Sequence, residues 1–258
     1  MRYFLQLQYN GANYAGWQIQ NNAVAVQQKL QEALQVLLHQ PTNLVGCGRT
    51  DTGVHALHFV AHFDTELILN AQSFLFSLNG LLPYDIVVYH LQQVADTAHA
   101  RFDASSRTYT YYIATQKNAF INKSAWLFNA ALDLNAMNAV VPLFLKYNDY
   151  SCFSKAHTQT KTNNCVIKYA HWQQQADIIC FTITADRFLR GMVRAIVGTM
   201  IQVGLHKMDG NSFEQIIKQG KRSMAGKSVP AHGLYLVQVT YPYISFLKPP
   251  ALSLPTLL

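Results

Sequence analysis

Polar and hydrophobic residues alternate along short stretches in the first hundred residues, which is the pattern of strands with one buried face. The alternation predicts strands over residues 3–9, 44–47, 57–63 and 86–94. Two helices are predicted between these strands. The first, over residues 24–39, carries a single apolar stripe and ends before Pro41, and the second, over residues 71–79, ends at Gly80.

A similar set of elements follows in the second part of the chain. Strands are predicted over residues 107–114, 166–172, 178–184 and 234–241. Asp133 is the predicted N-cap of a helix that Pro142 kinks or shortens. A longer amphipathic helix is predicted over residues 187–203, and Asn211 with Glu214 forms a capping box that opens a short helix.

This order of elements predicts the α+β class with a largely antiparallel sheet, because several strands are adjacent hairpin candidates and do not alternate strictly with helices. The two sets resemble each other, which indicates two related halves with an active-site cleft between them. We therefore expect an N-terminal half at residues 1–104 that carries the Asp51 loop, a C-terminal half at residues 105–246, and an extended tail at residues 247–258.

The charge of the chain is unevenly distributed. The 258 residues carry a formal net charge of +7. Between Asp149 and Asp177 the only charged residues are lysines, and no acidic residue follows Glu214, although five basic residues do. Segments of one sign favour a polyanionic partner such as nucleic acid, and the alternative is an ordinary solvated surface.

Cysteine usage and hydropathy predict the compartment. None of the four cysteines forms a Cys-x-x-Cys pair, so a structural zinc site is not expected. The first residues lack the apolar run of a secretory signal, which predicts reduced thiols and a cytoplasmic location. The longest uncharged stretch, residues 67–84, is interrupted by polar residues and is not expected to span a membrane.

The main candidate for chemistry is Asp51, in the nine residues 48–56. It lies between two glycines and two residues from Arg49. Catalytic groups concentrate on loops of this kind, and glycine permits a sharp bend or the close approach of a ligand. An ordinary turn is the alternative. An aspartic-protease dyad is rejected because the chain has no second Asp-Ser/Thr-Gly triplet.

Three histidines, His55, His58 and His62, would share one face of a helix and could then hold a metal ion. The predicted strand separates His55 from the other two. We therefore expect no metal site, and we expect structural or substrate-contacting histidines.

Two further sites involve arginines. Arg107, Tyr109 and Tyr111 lie on one face of the predicted strand, either as a platform for stacking a nucleobase or as ordinary strand aromatics. Arg194 lies in an otherwise apolar helix. If it is buried it needs an anionic partner, for which Asp51 is a candidate, and otherwise its stem reaches the surface.

A longer series of motifs resembles the tRNA pseudouridine synthase A family of the pseudouridine synthase superfamily. They occur in order from residue 9 to residue 236, and together they are specific. The matching stretches are Tyr9-Asn10-Gly11, residues 14–18, Val26-Gln27, residues 48–56, Asn79 with Leu82-Pro83, residues 100–104, Arg107-x-Tyr109-x-Tyr111, Phe188 with Met192-Val193-Arg194, residues 196–198 and residues 233–236.

The resemblance implies isomerisation of uridine to pseudouridine in the anticodon stem-loop of tRNA, around positions 38 to 40. It also implies a homodimer that uses no cofactor, and an extended, mainly antiparallel sheet built from two related halves. An RNA-binding module that has kept this scaffold and lost the chemistry is the alternative.

The resemblance also assigns roles to residues. Asp51 matches the essential aspartate, as nucleophile or base, and Tyr109 matches the tyrosine that stacks on the target base. Arg49 matches the arginine that enters the RNA as the base leaves its stack. Arg194 matches the arginine that pairs with the aspartate, and Leu234 matches an apolar contact in the active site. Arg107 is expected to contact RNA.

Overall fold

Two sets of strands and helices make up the part of the chain that the computed structural model describes, residues 1–155 and 162–246. The strands are β1 (Arg2–Tyr9), β2 (Val45–Gly46), β3 (His55–Asp64), β4 (Ile86–Val94), β5 (Ser106–Ala114), β6 (Trp126–Leu127), β7 (Ile167–Gln175), β8 (Ile178–Ala185) and β9 (Leu234–Thr240). The helices are α1 (Val26–Leu38), α2 (Ala71–Leu81), α3 (Leu134–Val140), α4 (Leu143–Lys146), α5 (Met192–Gly204) and α6 (Gly210–Gln219).

These elements belong to two compact units. The first consists of Met1–Ser105, to which the chain returns from Tyr235 onward, and the second of Ser106–Leu234. The predicted tail at residues 247–258 lies outside the described residues. None of the helices in the described part of the chain is long and apolar enough to cross a membrane.

In the first unit, β1 lies between β4 and β3 and is antiparallel to both. β9 pairs with β3 in parallel, and β2 adds a short antiparallel pairing to β3. The amide of Asn79 fastens α2 to β4, because it donates to the Val88 carbonyl at 2.7 Å and accepts from the Val88 amide at 2.9 Å. The core of this unit includes the fully buried side chains of Phe4, Leu5 and Phe59.

In the second unit, β8 lies between β5 and β7 and is antiparallel to both. The amide of Asn138 in α3 bonds both backbone groups of Trp172 at 2.9 Å, which fixes α3 against β7. Trp172 stacks on Phe181 with 4.6 Å between ring centroids. The predicted α+β class with a mainly antiparallel sheet is therefore confirmed, since the antiparallel ladders are much longer than the parallel ones.

Helix ends differ from the predictions in informative ways. The predicted Asp133 cap is confirmed, because its side chain accepts from the Ala136 amide at 2.9 Å, and Pro142 separates α3 from α4 as expected. The predicted Asn211 cap is wrong. Asp209 caps α6 instead, since its carboxylate accepts from the Ser212 amide at 2.7 Å and its backbone is extended.

The long helix of the second unit begins five residues later than predicted. Residues 187–191 are not helical, and Gly191, with φ of 72°, stands at the N-cap of α5. The left-handed conformation of this glycine ends the preceding segment, and the apolar periodicity of residues 187–191 does not reveal it. Arg194 is consequently in the first turn of α5, not in its second.

Candidate active site

Asp51 begins a tight turn between β2 and β3. The Val54 amide donates to the Asp51 carbonyl at 3.1 Å, and Gly53 has φ of 77°, the conformation that the third position of a type II turn requires. The side chain of Asp51 is half-buried, and Arg49 is exposed. The predicted bend at Gly53 is therefore present, whereas Gly48 has a negative φ and no protein atom near its Cβ position.

The segment that joins β1 to α1 packs against the backbone of this loop. A Cβ on Gly11 would lie 2.0 Å from the Val54 carbonyl oxygen, and one on Gly16 would lie 2.2 Å from the Thr50 oxygen. The hydroxyls of Tyr9 and Thr50 are hydrogen-bonded at 2.9 Å. The glycines are therefore needed for close approach of two backbones, and this holds the Asp51 loop on both sides.

This packing predicts a large effect for one glycine substitution near the Asp51 loop and almost none for another. Gly16 has φ of 87° and no room for a Cβ, so Gly16→Ala is expected to lower the free energy of unfolding by roughly 1–3 kcal/mol. Gly48→Ala meets open space and should change it by less than about 0.5 kcal/mol. Urea unfolding of both variants checks this, and equal effects would contradict the close approach.

Tyr109 and Arg107 lie two residues apart on β5, as predicted. The half-buried Tyr109 ring meets Phe188 edge-on, with 5.2 Å between centroids and 89° between planes. The Arg107 guanidinium donates to the Asp186 carbonyl at 2.8 Å. Tyr111 is fully buried and its hydroxyl donates to the Pro230 carbonyl, so it is a core residue and not part of a stacking platform.

Arg194 is fixed to the segment that leads into β9. Its Nε donates to the Val229 carbonyl at 2.7 Å, and the Val229 amide donates to the Arg194 carbonyl at 3.2 Å. The same segment continues to Gly233, where a Cβ would lie 2.8 Å from the Tyr111 ring, and to the buried Leu234. The structure thus connects Arg194 and Leu234 through one stretch of backbone.

The three histidines of β3 are structural. The Nδ1 of His55 accepts from the Gly11 amide, that of His58 from the Val239 amide, and that of His62 from the Ala100 amide. All three side chains are buried. Within the described residues, no group of three or more histidine, cysteine or acidic side chains is placed to hold a metal ion.

Burial of these histidines predicts a pH dependence of stability. Burial lowers the pKa of His58 and of His62 to about 4. The unfolded chain therefore binds more protons than the folded chain between about pH 6.5 and pH 4, and stability falls as the pH falls through this window. Each histidine is expected to lower the free energy of unfolding by on the order of 3 kcal/mol across this window. Urea unfolding at several pH values measures this change.

The contribution of one histidine can be isolated by substitution. His58→Gln should reduce the slope of the unfolding free energy against pH between pH 6.5 and pH 4. His171→Gln, on an exposed side chain of β7, should leave the slope as in the wild type. A wild-type slope in His58→Gln would contradict the assignment of the pH dependence to this side chain.

Sequence reasoning missed some of the residues that build these sites. Phe188 was matched as part of a motif but not as the ring that contacts Tyr109, although the β5–β8 register, with Arg107 opposite Ala185, brings the end of β8 to that point. Tyr14 and Asp85 were not connected, and no local pattern links them because they are far apart in sequence.

Comparison with known proteins agrees with this arrangement. Residues 146–242 match a family model described as tRNA pseudouridine synthase. The chain is 51% identical to tRNA pseudouridine synthase A of Parabacteroides distasonis over 242 residues, which cover 93% of this chain and 96% of the relative. It is 48% identical to that of Porphyromonas gingivalis, covering 95% and 99%, and 38% identical to that of Acetivibrio thermocellus, covering 92% and 98%. The chain therefore belongs to the tRNA pseudouridine synthase A family.

Proposed function

We propose that this protein isomerises uridine to pseudouridine in the anticodon stem-loop of tRNA, around positions 38 to 40. Relatives that are 48% to 51% identical to this chain are named tRNA pseudouridine synthase A, and the matches cover more than nine-tenths of the chain. The observation that carries the proposal is the half-buried Asp51 on a turn that neighbouring backbone holds from two sides.

The reaction is a rearrangement within one nucleotide. The bond between N1 of uracil and C1′ of the ribose breaks, the base rotates, and a bond forms between C5 and C1′. The proton on C5 leaves, and N1 gains one. Atoms and electrons balance within the substrate, so the chemistry needs no oxidant or reductant, and the proposal includes no cofactor.

A single carboxylate is sufficient to start this rearrangement. Asp51 can attack C1′, attack C6 of the uracil, or remove a proton on a route through a glycal, and each route needs the ionised form. Each route requires a nucleophile or base that is held near its target before the reaction, and a fixed backbone turn holds Asp51 in this way. Arg194 is proposed, from the resemblance of the motifs, to pair with this carboxylate.

The other residues are proposed to handle the base and the RNA. Tyr109 stacks on the uracil and assists removal of the C5 proton, and Phe188 supports its ring from the edge. The exposed Arg49 enters the RNA as the base leaves its stack. Leu234 packs against the base, and Arg107, whose guanidinium donates to the Asp186 carbonyl, contacts the RNA backbone.

We also propose that the protein works as a homodimer in the cytoplasm. The resemblance of the motifs to the family supports the first point, and the cysteine usage supports the second. The basic segments of the second half support binding to a polyanion. Sedimentation of the purified protein tests the dimer.

The function is tested with purified protein and an unmodified tRNA transcript that has uridines in the anticodon stem-loop. We expect pseudouridine at positions 38 to 40 and at no uridine outside the stem-loop, mapped by chemical modification and primer extension. Binding without any product would favour the alternative, an RNA-binding module that has lost the chemistry.

A further inference from the structure

The half-buried carboxylate of Asp85, directly before β4, is connected to the Asp51 loop through the segment that follows β1. Asp85 bonds this segment with three groups. Its Oδ1 accepts from the Tyr14 hydroxyl at 2.5 Å, its Oδ2 accepts from the Asn13 amide at 3.1 Å, and its carbonyl accepts from the Asn10 amide at 2.9 Å. Both carboxylate oxygens are therefore used to hold residues 10–14.

The segment held by Asp85 bonds the second half of the Asp51 turn and the first residue of β3. The Tyr14 carbonyl accepts from the Gly53 amide at 3.2 Å, and the Gly11 amide donates to His55 at 3.1 Å. Further along, Gly16 is in close approach to the Thr50 carbonyl. Displacement of the segment would therefore displace Thr50, directly before Asp51, and Gly53, two residues after it.

The chemistry of this pair suits a fixed contact. Hydrogen bonds to an ionised acceptor are roughly twice as strong as bonds between neutral groups. Tyr14 is buried, with 6% of its surface exposed, and burial, followed by the Asp85 carboxylate, raises its pKa far above the ordinary value. The Tyr14 hydroxyl thus stays protonated at neutral pH, and it stays a donor to Asp85.

We propose that Asp85 and Tyr14 are positioning residues, which hold the Asp51 turn in the geometry that the reaction requires. Neither touches the substrate. The proposal rests on the proposed role of Asp51. A nucleophile or base that is misplaced by about 1 Å can lose roughly a hundredfold in rate, whereas binding of the large tRNA involves contacts elsewhere.

Tyr14→Phe is the sharpest test, because it removes one oxygen and keeps the ring in the core. We expect kcat to fall by about tenfold or more, with KM for tRNA within about twofold of the wild type. Asp85→Asn should give the same split, because it replaces the charged acceptor of the Tyr14 and Asn13 bonds by a neutral amide with one acceptor oxygen. The losses in the double variant should be less than additive, because both changes affect the Tyr14–Asp85 contact.

Tyr243→Phe is a matched control. It removes a comparable bond, from a tyrosine hydroxyl to the Asp103 carboxylate at 2.6 Å, in the same unit and away from the loop. Its kcat should stay within about twofold of the wild type. Both kcat and KM are taken from initial rates with tRNA in excess over enzyme, and thermal unfolding confirms that each variant is folded at the assay temperature.

The outcomes separate this inference from the proposed function. The positioning role would be overturned if Tyr14→Phe had the kcat of the wild type, or if its kcat fell no further than that of Tyr243→Phe. The proposed function would still stand in that case, provided that Asp51→Asn is inactive. Substantial activity in Asp51→Asn would overturn the proposed site instead. If Asp85→Asn does not fold, the comparison of Tyr14→Phe with Tyr243→Phe decides alone.

Discussion

Replacement of Asp51 by asparagine is expected to lower the rate of pseudouridine formation by about 10⁴-fold or more, which corresponds to at least about 5 kcal/mol of transition-state stabilisation. Asparagine has nearly the same shape and cannot act as a base or as an anionic nucleophile. The turn after residue 51 is held by backbone contacts at Gly53 and Val54, which the substitution keeps. Binding of tRNA should therefore stay within about twofold of the wild type.

The control for this variant is another change from aspartate to asparagine. Asp96 has a side chain that is 77% exposed and lies in the turn after β4, so Asp96→Asn should be fully active. The measurement is a single-turnover assay of pseudouridine formation, together with a filter-binding assay. Residual activity within about a hundredfold of the wild type in Asp51→Asn would contradict a role for Asp51 in bond making or proton transfer.

Replacement of Tyr109 is expected to give the second largest loss. Tyr109→Phe keeps the ring and its edge contact with Phe188 and removes the hydroxyl. If the hydroxyl assists in taking the proton from C5, the rate should fall by about 10²- to 10⁴-fold. Tyr109→Leu removes the ring as well and should be slower still, because stacking on the base is lost.

Tyr169→Phe serves as the control for Tyr109, since Tyr169 is half exposed on β7. It should have the activity of the wild type. A wild-type rate in Tyr109→Phe would restrict Tyr109 to stacking, and a wild-type rate in Tyr109→Leu would remove it from the site. Single-turnover rates with an unmodified transcript distinguish these outcomes.

The alternation of polar and apolar residues predicted the strands β5, β7 and β8 well and the exposure of residues in β3 less well. The strands β5, β7 and β8 follow the predicted ranges closely, because each keeps a partly exposed face and so keeps its alternation. In β3 the alternation is misleading. His58 and His62 look like a solvent face but are buried, since each accepts a backbone hydrogen bond from a distant residue.

Long-range pairings could not be predicted from spacing. β9 pairs in parallel with β3, and His55 lies opposite Tyr235. Such a pairing depends on the path of the whole chain between the two strands, and no residue pattern encodes it. The predicted bounds of the two halves, residues 1–104 and 105–246, stay a prediction.

The candidate site was partly foreseeable. A carboxylate between two glycines selected Asp51, and the resemblance selected Tyr109, Arg49 and Arg194, whose roles stay predictions. The supports of Asp51 were not foreseeable, because Gly16 and Asp85 act through backbone approach and through a side-chain bond across 71 residues. These contacts are properties of the folded chain.

The most direct test of an Asp51-dependent tRNA isomerase is made in cells. Pseudouridine is mapped in total tRNA from a strain that lacks this protein, and from the same strain carrying the wild-type protein or Asp51→Asn at equal abundance. We predict that pseudouridine at positions 38 to 40 is absent without the protein, returns with the wild type, and does not return with Asp51→Asn. Unchanged pseudouridine in the strain without the protein, or its return with Asp51→Asn, would contradict this function.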